Sequence, residues 1–536
     1  MVMVSSPFVR PLCAFLLLAM LATGCTDDSE EADLSPTTTT VSEALSTPVE
    51  DPLSPPTSTI EFEAAVAAVT GPITAGNGPV LPQPAVAAPA EYVQEEFFVG
   101  GAASSFVAVD EFGDDGMWSV APDDTADYQT RILVRRPPTE VFSGTVIVEW
   151  LNVTAVEASP DWAFLVEEIG AAGHAYVAVS AQALGVIGGQ ALLTVEVDPD
   201  VAEEAGRDAD EADTGGLVNA DPERYGALEH PGDAFAYDIF TQVGAVVRDN
   251  AGGVLGNLDP EVVIALGESQ SAGFLTTYVN AIHPMVEVFD GFLVHSRGGG
   301  GAPLAGVFGD DASFVEAAHR IRTDLDVPVF MVEAETDLTL LGYARARQDD
   351  TDMIRAWELA GTAHADAHVI RAIIGGPRTS SSGNLLGCTN AINTGPHHEG
   401  IQAALRGLVT WVREGTAPPI GERIETTETV PVQIVRDELG IALGGVRNPL
   451  VDVPVVITTG DPWEEVALEG GFDVCSLFGR TIPIEQAGLL DLHGSADGYL
   501  AAFDVAADAA VDAGFLLDYD AEQLRAEAQA NTVLFE

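Results

Sequence analysis

The sequence predicts an α/β fold built on one mostly parallel, doubly wound sheet with helices on both faces. Three observations point there. From about residue 90, short apolar runs alternate with helix-length stretches. The strand-like runs are apolar at successive positions rather than at every second one, so both of their faces must be covered, as in parallel strands layered between helices. The alternation of β and α continues to about residue 420, which suits a single sheet rather than several small domains.

QTRILVRRP (129–137) and TVIVEWL (145–151) read as the first strands. DWAFLVEEIGAAG (161–173) has helical spacing, and AYVAVSA (175–181) is a buried strand. DAFAYDIFTQVGAVVRD (233–249) is a long helix leading to the strand EVVIAL (261–266). VFDGFLV (288–294), VPVFMVE (327–333) and MIRAWELAG (353–361) continue the sheet. HEGIQAALRGLVTWVREG (398–415) is amphipathic, with Ile401, Leu405, Leu408 and Val412 on one face. Gly415 and then Pro418-Pro419 stop it. Residues 421–536 are loop-rich, with an extended stretch at 440–456 and a terminal helix at 521–530. They are expected as an extension packed on the 89–420 core. SRGGGG (296–301) lacks a phosphate-loop lysine and is expected to be a flexible loop.

The chain has 536 residues, 47% of them hydrophobic, and 54 glycines, which fits a globular core with many loops. Acidic residues number 83 against 22 basic ones, all of them arginine, for a formal net charge of −61. Such a surface repels phosphate, so nucleic acid and anionic membrane surfaces are excluded as partners.

Residues 1–25 read as a lipoprotein-type signal peptide. Arg10 supplies the positive end, 11–22 form an apolar core too short to span a bilayer, and LATGC ends at Cys25, the expected lipidation site. Ala22 departs from the leucine commonest there. Residues 26–88, rich in Ser, Thr, Pro and acid at their start, are expected as a disordered linker with a coil reach of ~45 Å. The protein is thus expected to be exported to the cell envelope, touching membrane only through its N-terminal lipid. Cys388 and Cys475 remain as an even pair in an exported chain and are expected to form a disulfide, the alternative being two separately buried thiols.

GESQS (267–271) approaches the G-x-S-x-G pattern of a nucleophile turn. Such a pattern arises by chance about once in a chain this glycine-rich, so context decides. A strand runs straight into Gly267 and a helix continues from Gln270, the layout that lifts a serine above a sheet edge. Ser269 is therefore the candidate nucleophile, and Ser271 stands where a small residue is needed. A serine hydroxyl needs a base, and the base needs orienting. Asp337, in the turn after VPVFMVE, is the candidate acid, with Glu335 its rival. His364, in the loop after MIRAWELAG, is the candidate base. His295 follows a strand at the same sheet edge and is expected to line the site. The backbone N–H of Gln270 is the expected first oxyanion donor, and Asn152 or Val153 the second. His397 and His398 start a helix and are expected to cap it or contact backbone. His230, His283 and His368 are expected to be structural. No metal-ligand spacing appears, and neither metal nor cofactor is expected.

RILVRRP, GTVIVEWLNVT, HPGDAFAYDIFTQVG, GESQSAG, AETDL, WELAGTAHAD and GGVRNPLVDVP together resemble the bacterial alpha/beta hydrolase domain proteins, a family of secreted hydrolases, over about residues 90–530. The resemblance implies an α/β-hydrolase fold, Ser269 as nucleophile, His364 as base, and a C-terminal extension that belongs to the same unit. The expected function is a serine hydrolase cleaving a small-molecule or extracellular ester. The alternatives are a non-catalytic surface binding lipoprotein on the same fold and an acyltransferase using the same triad.

Overall fold

The computed structural model describes residues 66–189, 191–192, 215–305, 316–374, 381, 388, 390–462 and 474–536. The signal segment and Cys25 lie outside the described residues.

The main sheet contains β1 (Ala68–Thr70), β2 (Val93–Ala108), β3 (Val120–Arg136), β4 (Thr145–Trp150), β5 (Ala175–Val179), β6 (Val262–Glu268), β7 (Gly291–His295), β8 (Val329–Ala334) and β9 (Ile354–Leu359), in the order β1-β2-β3-β5-β4-β6-β7-β8-β9. The pairs from β5 through β4 to β9 are all parallel. β1, β2 and β3 form an antiparallel edge that joins β5 antiparallel. The sheet is thus mostly parallel, as the apolar runs predict. β2, and the part of β3 before Gln129, are what those runs miss. GGAASS (100–105) has almost no apolar side chains, and only Phe97, Phe98, Val99, Ala103 and Phe106 of β2 reach the core.

The unbroken apolar runs follow from two cores, one on each face. Val146, Val148 and Trp150 of β4 and Val263 and Ala265 of β6 pack with Phe240, Val243 and Phe274. Ile147, Ile264 and Leu266 point the other way, onto Trp162, Leu165, Ile401, Leu405 and Leu408. The helices Pro160–Ala172 and His397–Glu414 therefore cover one face, and Ala236–Arg248 and Gln270–Thr277 the other. Each large side chain buried this way contributes about 1.5–3 kcal/mol.

The chain steps from β4 outward to β5, then returns to place β6 on the other side of β4. That reversal opens a crevice at the carboxyl ends of β4 and β6, where ligands bind in open parallel sheets.

The SRGGGG segment is not the flexible loop expected from its composition. Arg297 is fully buried. A Cβ at Gly301 would lie 2.6 Å from Thr277 Oγ1 and 3.2 Å from the Trp118 ring, so close packing accounts for that glycine.

The C-terminal part holds more structure than its sequence suggests. β10 (Val456–Thr459) pairs antiparallel with β11 (Arg480–Pro483). The helices Gln486–His493, Ala496–Asp512 and Asp518–Asn531 share a small core that includes Leu489, Tyr499, Phe503, Leu516 and Leu524. The helix Ala496–Asp512 escapes a periodicity reading because alanine and aspartate fill most of it; Ser495 caps it through the Gly498 N–H at 3.1 Å. Phe515 packs edge-on against Trp357 at 5.0 Å between centroids, and Tyr519 donates to Gln402 at 2.8 Å. Cys388 and Cys475 form the expected disulfide.

Candidate active site

Ser269 is the single residue between the end of β6 and the helix Gln270–Thr277. Its backbone is at φ 59°, ψ −117°, an unfavourable region for a residue with a side chain. Such strain costs on the order of 1–3 kcal/mol and persists only where neighbours enforce it. Here the Ser269 N–H donates to the His295 carbonyl at 2.9 Å, and the Ser269 carbonyl accepts from the Gly273 N–H at 3.2 Å. A Cβ at Gly267 would lie 3.1 Å from Ser271 Cβ, so the turn packs tightly there and favours glycine at 267 and a small residue at 271. Ser271 is fully buried, and its hydroxyl makes no hydrogen bond among the described residues.

The loop after β9 brings His364 over this turn. His364 Nε2 lies 2.8 Å from Ser269 Oγ, and His364 Nδ1 lies 2.6 Å from Asp337 Oδ1. Asp337 belongs to the short helix Glu335–Thr339 directly after β8, and its Oδ2 accepts the Ala334 N–H at 2.6 Å. A carboxylate on Nδ1 fixes the proton there and leaves the Nε2 lone pair facing the serine hydroxyl. Burial pulls the His364 pKa down, but the charge of Asp337, its hydrogen bond and the nearby Glu268 outweigh that and hold it above the ordinary value.

Glu335, the rival acid, faces elsewhere. Its carboxylate pairs with Arg436 at 2.8 Å and accepts the Gly361 N–H at 2.6 Å and the Gly460 N–H at 2.9 Å. It ties the C-terminal part to the loop that carries His364.

The loop after β4 reaches the same crevice. The Asn152 N–H is committed to the Ala158 carbonyl at 2.9 Å, and its side-chain amide donates to the Glu268 carbonyl at 3.1 Å and to Glu268 Oε2 at 3.2 Å. Asn152 is therefore a brace rather than a free donor. The Val153 N–H points across to the Gln270 side-chain oxygen at 3.4 Å.

His295 does not line the crevice. Its ring is fully buried below the Ser269 turn, 2.8 Å from Asp161 Oδ1 and 2.7 Å from His397 Nε2. The other histidines largely keep their expected structural roles. His397 Nδ1 and His368 Nε2 meet the backbone carbonyls of Ala363 and Ala163 at 3.0 and 2.9 Å, and His230 Nε2 meets that of Ala181 at 2.9 Å.

Two residues near the site, Glu268 and Asp161, escape the sequence reading, and a third, His397, is only partly read. Glu268 is the variable position of the G-x-S pattern, yet its carboxylate stands 3.7 Å from His364 Nε2, and burial pushes its pKa up to about 8. Asp161 looks like an ordinary first-turn acid, and His397 like a helix start. Only the histidine at a strand end, His295, carried a signal that could lead to them. Among the described residues, Glu167, His398 and Asp520 gather three possible metal ligands. The Gln402 amide already sits 2.9 Å from His398 Nε2 and 3.2 Å from Asp520 Oδ1.

No curated protein sequence matches the chain. Among solved structures it is similar to a glucuronoyl esterase from Solibacter usitatus, with 11% identity, 58% of this chain and 83% of that chain covered, and a TM-score of 0.25. It is also similar to a glucuronoyl esterase from Teredinibacter turnerae (11% identity, 53% and 66% covered, TM-score 0.25). A fungal esterase from Rhizomucor miehei follows (10% identity, 48% and 74% covered, TM-score 0.22). Likenesses this distant carry no information about substrate. The family described as Alpha/beta hydrolase domain matches residues 69–526, which include the main sheet except Ala68, its first residue, and all the residues of the crevice, and the chain belongs to that family.

Proposed function

We propose that the protein is an exported serine esterase that works through an acyl-enzyme on Ser269. The observation that carries this reading is the unbroken line from Asp337 through His364 to Ser269, at 2.6 and 2.8 Å, ending on a serine held in a strained turn. Ser269 Oγ attacks the ester carbonyl carbon while His364 Nε2 takes its proton, and Asp337 stabilises the imidazolium. The carbonyl oxygen, now negative, takes hydrogen bonds from the Gln270 and Val153 N–H groups. For this the Gln270 side chain gives up its contact with Val153. His364 then protonates the leaving alkoxide, and water, deprotonated by the same imidazole, releases the acid.

In this reading residues 1–25 direct export, Cys25 carries the lipid, and 26–88 tether an 89–420 core and its 421–536 extension to the envelope. The substrate is a small or extracellular ester. The test is hydrolysis of a panel of chromogenic esters by the mature protein beside Ser269→Ala and His364→Ala. Turnover by the wild type that both variants abolish is the expected result. Equal rates in the folded Ser269→Ala variant would overturn the proposal.

A further inference from the structure

A second aspartate–histidine line runs beneath the crevice. Asp161 Oδ1 meets His295 Nδ1 at 2.8 Å, His295 Nε2 meets His397 Nε2 at 2.7 Å, and His397 Nδ1 meets the Ala363 carbonyl at 3.0 Å. All three side chains are fully buried, and Phe164 packs against both rings at 5.3 and 4.8 Å between centroids.

The end of the line fixes its protons. A carbonyl oxygen only accepts, so His397 Nδ1 carries a hydrogen. A neutral His397 then offers a bare Nε2, and the contact at 2.7 Å requires His295 Nε2 to donate. A neutral His295 in turn has a bare Nδ1 facing Asp161, so the remaining hydrogen sits on the carboxyl group. The other possibility is a charged pair, an Asp161 carboxylate against a His295 imidazolium. Asp161 Oδ2 argues against it, because that oxygen is buried with no hydrogen-bond donor among the described residues. A buried carboxylate oxygen without a donor costs far more than the carbonyl oxygen of a neutral acid. Charge agrees: burial pushes the Asp161 pKa up to about 8 and pulls those of His295 and His397 down to about 3. The titratable groups facing this line are Glu149 from β4, Glu268 from β6, Asp337 after β8 and His364 after β9.

Two members of the line, His295 and His397, touch the segments that carry Ser269 and His364. The main-chain carbonyl of His295 accepts the Ser269 N–H, and the carbonyl held by His397 belongs to Ala363, the residue before His364. We propose that Asp161, His295 and His397 form an uncharged, proton-ordered chain, with Asp161 a neutral carboxylic acid, that positions the His364 loop against the nucleophile turn. The role rests on His364 serving as the base for Ser269.

The experiment compares Asp161→Asn with Asp161→Ala. An asparagine amide can donate to His295 Nδ1 as a protonated carboxyl does, whereas alanine cannot. Imidazole nitrogen NMR of the 15N-labelled wild type, assigned with His295→Gln and His397→Gln, should find His295 neutral with its hydrogen on Nε2 and His397 neutral with its hydrogen on Nδ1. The downfield His364 Nδ1–H resonance should persist in Asp161→Asn and be lost in Asp161→Ala. Ester kcat/KM should stay within about threefold of wild type in Asp161→Asn and fall about tenfold or more in Asp161→Ala. A doubly protonated His295 overturns the proton assignment. A His364 resonance unchanged in Asp161→Ala overturns the positioning role. Both NMR readings hold even if no ester is turned over, so failure of the esterase reading is separable from failure of this one.

Discussion

Two aspartate–histidine pairs, one at the crevice and one beneath it, behave in opposite ways. Asp337 and His364 are 2.6 Å apart, and Asp161 and His295 are 2.8 Å apart, with all four side chains buried. In the first pair the second carboxylate oxygen accepts the Ala334 N–H, which stabilises the charged acid. In the second pair that oxygen has no donor among the described residues. The first imidazole ends on a serine hydroxyl that can lose a proton, and its pKa is held above the ordinary value. The second ends on another histidine and a backbone carbonyl, and its pKa is pushed down to about 3. Residue type is the same in both. What differs is one backbone donor on the acid and the group beyond the ring, and in the proposed reading these separate a base from a brace.

The largest change that would break this contrast is Ser269→Ala, expected to lower kcat/KM by about ten-thousand-fold or more with little loss of thermal stability. Asp337→Asn comes next. An amide donor facing Nδ1 favours the wrong tautomer of His364, and the expected loss is about a thousand- to ten-thousand-fold. Asp161→Asn, read by the same assay, should differ from it by orders of magnitude.

Arg436→Ala sharpens the contrast with a third carboxylate, Glu335, which carries no histidine. Removing the arginine leaves Glu335 buried beside two N–H groups, and unfolding in urea should report a loss of about 3 kcal/mol. The acidic limb of the rate profile should stay where it is.

A further effect is on stability against pH. The Asp161 pKa lies near 8 in the folded protein, above the usual carboxylate value, so the folded state holds more protons in that interval. Stability from this group is complete below the unfolded pKa and is lost as pH rises toward about 8. Asp161→Asn should flatten that slope in thermal melts taken across the interval.

The parallel half of the sheet was legible because both of its faces are buried and its strands read as unbroken apolar runs. Ser269, Asp337 and His364 were legible because each sits directly after such a strand. β2 was not, since Gly100 to Ser105 carry too little apolar contrast to mark a strand. The helix Ala496–Asp512 was hidden by its alanines and aspartates. Glu335 and Asp337 could not be separated by spacing alone, because only the direction of the turn decides which one faces the imidazole. The Asp161–His295–His397 line joins three elements 102 residues or more apart at its histidine contact, a distance over which no local pattern operates.

The most direct test of Ser269 as the nucleophile is covalent labelling of the mature protein with a fluorophosphonate, with the adduct located by peptide mass spectrometry. A single adduct on Ser269, absent from Ser269→Ala and strongly slowed in His364→Ala, is the expected result. A folded wild-type protein that takes no label, or takes it on Ser271 or elsewhere, would contradict it.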